Sequence, residues 1–241
     1  MVVDSRRLLE LDSRSFEARI RQNPVLIVPV GALEAHGPHL PLGADQIQAE
    51  ATALALADRI DGLVAPAITY GSAPGARGFA GTVSLPIATL ADLSHRVFSE
   101  FGRMGVRRLL VLSGHAERGH MGALRDGAAL AMQDHPTSRI VVLSDYDFVY
   151  ERRGQDAPAT DGHAGMLETS RVMAIAPDRV GAQRPVVAYR PSPFVPGTPT
   201  AEEWPESVMG DTRPASPELG QKLQAYVLDR LQATVDELLP K

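Results

Sequence analysis

The chain has 241 residues, 44% hydrophobic and 22% charged, with a formal net charge of −5. That length and balance suit one soluble globular domain with a full core, expected over residues 1–241. The acidic charge argues against a nucleic-acid partner, the lack of an 18-residue apolar run against a membrane span, and the absence of cysteine against disulfides and thiolate metal sites.

The run Met1-Val2-Val3-Asp4-Ser5-Arg6-Arg7 puts its arginines after the apolar residues, the wrong order for a signal peptide, so a cytoplasmic location is expected. Val25-Leu26-Ile27-Val28-Pro29-Val30 is a continuous apolar run, as in a strand buried on both faces. Pro29 cannot donate to a ladder and points to a strand end or a sheet edge. Asp45 is placed to cap a helix over residues 46–60, where Ala, Leu and Ile recur at helical spacing. A second strand is expected over residues 63–68. The glycine-rich loop after it, Gly71-Ser72-Ala73-Pro74-Gly75, reads as a flexible cover for a site.

An amphipathic helix begins near Thr89 and stops by Gly105; a third strand follows over residues 108–112. Then come a helix over residues 119–133, a fourth strand over 140–143 and a helix over 164–175. The last helix has Ser216 as cap and Pro217 at its first position, and runs through Leu219, Leu223, Val227, Leu231 and Val235. The proline-rich stretch 185–217 before it is expected to be a lid or an oligomer contact. Alternation of strands and helices predicts an α/β fold, with a mainly parallel sheet covered on both faces.

Five possible metal ligands lie just beyond two of these strands: Glu34, His36 and Asp45 after the first, His115 and Glu117 after the third. In an α/β protein that is where ligands and substrates bind. Glu34 and His36, like His115 and Glu117, are spaced to point to the same side of extended chain. Three carboxylates and two imidazoles beside buried strands exceed what packing requires. Two divalent cations would balance the three carboxylates and one hydroxide, whereas a single cation would leave excess negative charge in a dry crevice. Oxygen and nitrogen ligands of this kind suit Zn²⁺, Mn²⁺ or Fe²⁺. His39, in the same loop, is expected to be a hydrogen-bonded structural group or a substrate contact. His120 faces the crevice if a helix has begun at Glu117.

Three motifs carry a resemblance. They are Pro29-Val30-Gly31-Ala32-Leu33-Glu34-Ala35-His36-Gly37-Pro38-His39-Leu40-Pro41-Leu42-Gly43-Ala44-Asp45, then Ser113-Gly114-His115-Ala116-Glu117, then His163-Ala164-Gly165-Met166-Leu167-Glu168-Thr169-Ser170. In order and spacing they resemble the signature of the creatininase (creatinine amidohydrolase) family. The resemblance implies a three-layer α/β/α sandwich, a homo-oligomer, and two divalent metal ions. It also implies cleavage of a non-peptide C–N bond in a small cyclic or linear amide by a metal-bridging hydroxide. Matched position by position, it assigns Glu34, Asp45 and His115 to one metal and His36, Asp45 and Glu117 to the other, with Asp45 bridging. His163 matches the proton-transferring histidine, and Glu168 is expected to orient a ligand or His163. Creatinine hydrolases of the family close tryptophans over a flat ring. Here Tyr146 stands in one such place, and the single tryptophan, Trp204, lies far along the chain. The resemblance therefore implies hydrolysis without fixing creatinine as the substrate. A peptidase-type member, or a catalytically silent metal-binding or assembly protein on the same fold, are the alternatives.

Overall fold

The computed structural model describes residues 5–189 and 202–241. Its centre is a four-stranded parallel sheet in the order β2-β1-β3-β4, formed by β1 (Val25–Val30), β2 (Leu63–Val64), β3 (Arg108–Ser113) and β4 (Arg139–Ser144). Val25 pairs with Arg108 and Arg108 with Arg139, so the three long strands run in register and end level with one another at Val30, Ser113 and Ser144.

The sheet is covered on both faces, as the strand sequences require. One face carries Val25 and Ile27 of β1 and Leu110 and Leu112 of β3 against α2 (Ala44–Ile60) and α7 (Pro217–Leu238). The other carries Leu26, Val28, Leu109 and Val111 against α3 (Ile87–Arg103) and α4 (Arg118–Asp134). The three-layer sandwich expected from the sequence is the fold. Each such leucine or valine taken out of water contributes about 1.5–3 kcal/mol, which is why runs buried on both sides form the sheet. Two smaller helices, α5 (Tyr146–Val149) and α6 (Met166–Ile175), pack beside α7 and α2, and α1 (Ser13–Ile20) precedes the sheet. Asp12 caps α1, and Ser216 caps α7 by accepting from the Leu219 N–H. Among the described residues no helix is long and apolar enough to cross a membrane.

Several local expectations are corrected. Pro29 lies next to the last residue of β1, so the strand-end expectation holds, but the strand is interior and not an edge: β1 has β2 on one side and β3 on the other. Its neighbours explain why this is tolerated. The Ile27 and Pro29 carbonyls accept from Ala65 and Ile68, so the proline nitrogen faces the side where β2 has already ended. That second strand is shorter than expected because Pro66 interrupts it; Ile68 rejoins β1 only by a bridge to Val30. Asp45 does not cap α2. The helix starts at Ala44 with Gly43 before it, and Asp45 lies in the first turn with its carboxylate turned to the imidazoles described below. The helix expected from Ala164 begins at Met166, because Ala164 has a left-handed φ of 51°.

Within the stretch 185–217, residues 190–201 lie outside the described residues. Its flanks form a two-stranded antiparallel pair, β5 (Val186–Val187) with β6 (Gly210–Asp211).

Candidate metal centre

From β1 the chain moves to β2 on one side, and from β3 to β4 on the other. The crevice beyond the carboxyl ends of β1 and β3 is thus the switch point of the sheet, the place where such folds bind ligands. Two glycines let the first turn of α2 press against both strand ends. A Cβ on Gly31 would stand 2.7 Å from the Gln46 nitrogen, and one on Gly114 only 2.1 Å from the Asp45 carbonyl oxygen. Asp45 is carried in this way between the two motifs.

Asp45 divides its carboxylate. Oδ1 lies 3.1 Å from His36 Nε2, and Oδ2 lies 3.1 Å from His115 Nδ1. Glu34 Oε2 stands 3.1 Å from the same His115 nitrogen, and Glu168 Oε1 stands 3.5 Å from His36 Nε2. All five side chains are buried. Two three-residue groups result, Glu34–Asp45–His115 and His36–Asp45–Glu168, each with ligand atoms within 4.8 Å of one another. A third, Glu34–His36–His163, adjoins them.

The surrounding backbone orients both imidazoles for coordination. His36 Nδ1 donates to the Glu34 carbonyl at 2.9 Å, and His115 Nε2 donates to the Ser72 carbonyl at 3.1 Å. In the neutral rings the lone pairs then sit on His36 Nε2 and His115 Nδ1, the atoms that face the carboxylates. Glu34 Oε2 and Asp45 Oδ2 are buried with no partner beyond the one His115 nitrogen they both face. Buried carboxylate oxygens left short of partners cost free energy unless a cation satisfies them, so the Glu34–Asp45–His115 group fits a divalent ion, and the His36–Asp45–Glu168 group offers the same donor types.

The electrostatics agree. Burial alone would push the His36 pKa down, yet the charges of Asp45 and Glu168 raise it well above the usual imidazole value. His115 is raised in the same way by Glu34 and Asp45. Burial opposes ionisation of Asp45 too, but the two imidazoles hold its carboxyl far below the usual range. Glu168 is held at about 2, mainly by His36 acting against burial.

Glu117 is the main departure from the expected ligand set. Its carboxylate is half-buried and caps α4, accepting from the His120 N–H at 2.7 Å. Glu168, expected to orient other groups, takes the place beside His36 and Asp45. It keeps an orienting contact as well, because Oε2 accepts from the Ala164 N–H at 2.7 Å. The left-handed Ala164 turns that N–H inward, a strained conformation of the kind found at functional sites.

His163 is half-buried, with its ring 4.3 Å from that of His36 and Nε2 donating to the Ala35 carbonyl at 2.8 Å. Tyr146 is not a substrate wall. It is buried, and its hydroxyl donates to Gln48 Oε1 at 2.9 Å. His39 is buried against Thr169, 2.9 Å from its hydroxyl, and burial lowers its pKa to about 4. His120 is buried behind His115, where burial and the His115 charge lower its pKa to about 3. The Ser72 N–H donates to His120 Nδ1. The loop around Ser72 is therefore no flexible cover, since Gly71, Ser72 and Ala73 are buried and Ser72 bonds both histidines.

Sequence reasoning also missed Trp204. Its ring packs edge-on against His163 at 5.2 Å and stacks on Tyr189 at 5.5 Å. Ser207 donates to the Ala35 carbonyl that His163 also uses. No spacing in the sequence announced either contact.

Residues 9–235 match the family model described as Creatininase: Creatinine amidohydrolase. The chain belongs to the creatininase family. It is similar to a creatinine amidohydrolase of Pseudomonas putida, 35% identical over 206 residues that cover 78% of each chain. A mycofactocin precursor peptide peptidase of Mycobacterium tuberculosis is 29% identical, over 96% of this chain and 92% of its own. Among solved structures, a creatininase variant of Zn-Zn type superposes with a TM-score of 0.90 at 28% identity, covering 99% of this chain and all of the other (100%). A creatininase described with Mn gives 0.89 at the same identity and coverage. Creatininase-family membership and the ligand set together make the chain a metal-dependent hydrolase.

Proposed function

We propose that this chain hydrolyses a non-peptide C–N bond of a small amide with two divalent cations held side by side. The observation that carries the proposal is the divided carboxylate of Asp45, which faces His115 through one oxygen and His36 through the other. Glu34, Asp45 and His115 would hold one ion; His36, Asp45 and Glu168 would hold the second. When bound, such ions supply an activated water at neutral pH and polarise the carbonyl under attack.

The chain's own groups would do the rest. An amide nitrogen leaves only when protonated. His163 stands at the edge of the centre with Nε2 fixed on the Ala35 carbonyl, leaving Nδ1 to collect a proton and pass it to the departing nitrogen. Trp204 and Ser207 hold that ring in place. Glu117, half-buried at the start of α4, lies close enough in sequence to His115 to meet a substrate group at the same crevice. The test is a panel of small cyclic and linear amides and formamides offered to the Zn²⁺- and Mn²⁺-loaded protein, with the released amine identified. Release from at least one member supports the proposal. If none is cleaved while two ions are bound, the chain is a silent metal-binding protein on this fold.

A peptidase-type reaction is the second reading. It is favoured by the similarity to the mycofactocin precursor peptide peptidase, which spans more of this chain than the match to the P. putida enzyme does. Short peptides in the same panel distinguish the two.

A further inference from the structure

Behind the centre lies a chain of buried polar groups that coordination alone does not explain. Gln48 is one helical turn beyond Asp45 on α2 and fully buried. Its amide has a partner for every polar atom. Nε2 donates to the Ala44 carbonyl at 3.2 Å and to Glu168 Oε1 at 3.0 Å, and Oε1 accepts from the Tyr146 hydroxyl at 2.9 Å. A flipped amide would set its oxygen against the Glu168 carboxylate and the Ala44 carbonyl, so these two acceptors fix which way Gln48 faces, and the tyrosine hydroxyl, donating to Oε1, holds the amide from its other end. Tyr146 is itself held down by the Arg171 guanidinium, 5.3 Å from its ring centre.

The effect falls on Glu168. Oε2 is engaged by the Ala164 N–H, and Oε1 already accepts from Gln48. That leaves Oε1 with lone-pair capacity on the side where His36 Nε2 stands at 3.5 Å. We infer that Gln48 and Tyr146 are positioning residues that hold Glu168 as a one-oxygen ligand for the cation it would share with His36 and Asp45. The inference rests on the two-cation reading above. It assigns a role to a helix residue and a tyrosine that touch neither cation nor substrate, and it confines their influence to one of the two ions. Among the described residues the side chains of the other group, Glu34–Asp45–His115, share no hydrogen bond with the side chain of Gln48 or Tyr146, and its His115 is oriented instead by Ser72.

The experiment is a chelator competition titration of the full chain with Zn²⁺, resolving two dissociation constants, on the parent and on Gln48→Leu, Tyr146→Phe and Thr52→Val. Thr52 is a buried polar residue of the same helix that bonds Gln224 and Arg171 but not Gln48, Tyr146 or Glu168, and Arg171 keeps its Asp145 partner without it, so its loss reports general damage. Gln48→Leu is expected to weaken one ion roughly 10–100-fold, the scale of lost groups behind a ligand, and to leave the other unchanged. Tyr146→Phe is expected to act on the same ion in the same direction, less strongly, while Thr52→Val changes neither constant. Unchanged constants in both relay variants, or equal weakening of both ions, would overturn the role of Gln48 and Tyr146. Should Gln48→Leu not fold, Tyr146→Phe, which removes a single oxygen, decides the matter alone. A parent that binds fewer than two ions would instead overturn the two-cation reading itself.

Discussion

His36 Nε2 and Glu168 Oε1 face each other at 3.5 Å, a histidine from the loop after β1 and a glutamate from α6 brought together at the floor of one crevice. Asp45 stands between this pair and the second imidazole, His115. Removal of either carboxylate therefore has a different consequence. Asp45→Ala is expected to abolish binding of both ions, because each group loses a ligand. Glu168→Ala is expected to release one ion and retain the other. Elemental analysis after dialysis checks both, and an Asp45→Ala protein with its full metal content would refute the shared carboxylate.

Metal loading should release protons. Without a cation, the buried carboxylates keep His36 and His115 protonated well above the ordinary value of 6.5. A divalent ion takes the same nitrogens, so about one proton per imidazole is expelled near neutral pH. The metal-free protein carries a matching pH signature. Its two histidines have folded pKa values above their unfolded ones, so the stability they contribute is complete below about pH 6.5 and is lost as pH rises through the raised values. Asp45 and Glu168 are depressed, with Glu168 near 2, so their contribution is present above about pH 4 and is lost as pH falls further. The metal-free melting temperature should peak between those limits, while the loaded protein should gain stability toward higher pH. A pH-stat titration and thermal melts measure the two effects; a metal-free melting temperature that climbs steadily to pH 9 would contradict the protonated imidazoles.

His163 should behave differently from the ligands. It lies beside His36, but the Ala35 carbonyl engages its Nε2. His163→Ala is expected to keep near-normal metal content and to lose turnover by about 10²–10⁴-fold, the usual contribution of a proton-transferring side chain. Loss of both metal and turnover would make His163 a ligand instead.

The parts legible in the sequence share a physical cause. β1 and β3 announce themselves because a strand buried on two faces must be apolar throughout, and polar residues directly after such runs lie at the crevice. That logic singles out Glu34, His36, Asp45 and His115, which the fold brings close together. Glu168 reads from the sequence only as an orienting group, since nothing along the chain shows that α6 folds back to put its first turn against His36. Gln48 resembled any helix glutamine, although it is fully buried. Trp204 belongs to a proline-rich stretch without periodicity, and contacts from distant segments bring it to the site: the pairing of β5 with β6, the Met209 N–H bonded to the His163 carbonyl, and Ser207 bonded to the Ala35 carbonyl. Such contacts between distant segments leave no local pattern.

The most consequential pair outside the centre is Arg171 with Asp145. Both are fully buried, 2.6 Å apart, and Arg171 also reaches Thr52 and Gln224. Burial raises the Asp145 pKa even with the guanidinium beside it. Removing the arginine alone leaves that carboxylate without its counter-charge, so Arg171→Met is expected to cost about 3–5 kcal/mol. The remaining Asp145 would then fold best when protonated. Its folded pKa would exceed the unfolded value further, so stability should fall as pH rises from about 4 through the raised value. Arg171→Met combined with Asp145→Leu removes both charges and should recover most of the loss, because the desolvation cost of the pair disappears with it. Urea denaturation of the three proteins at two pH values measures this. A double variant no more stable than Arg171→Met would show that the pair contributes through contacts other than its charges.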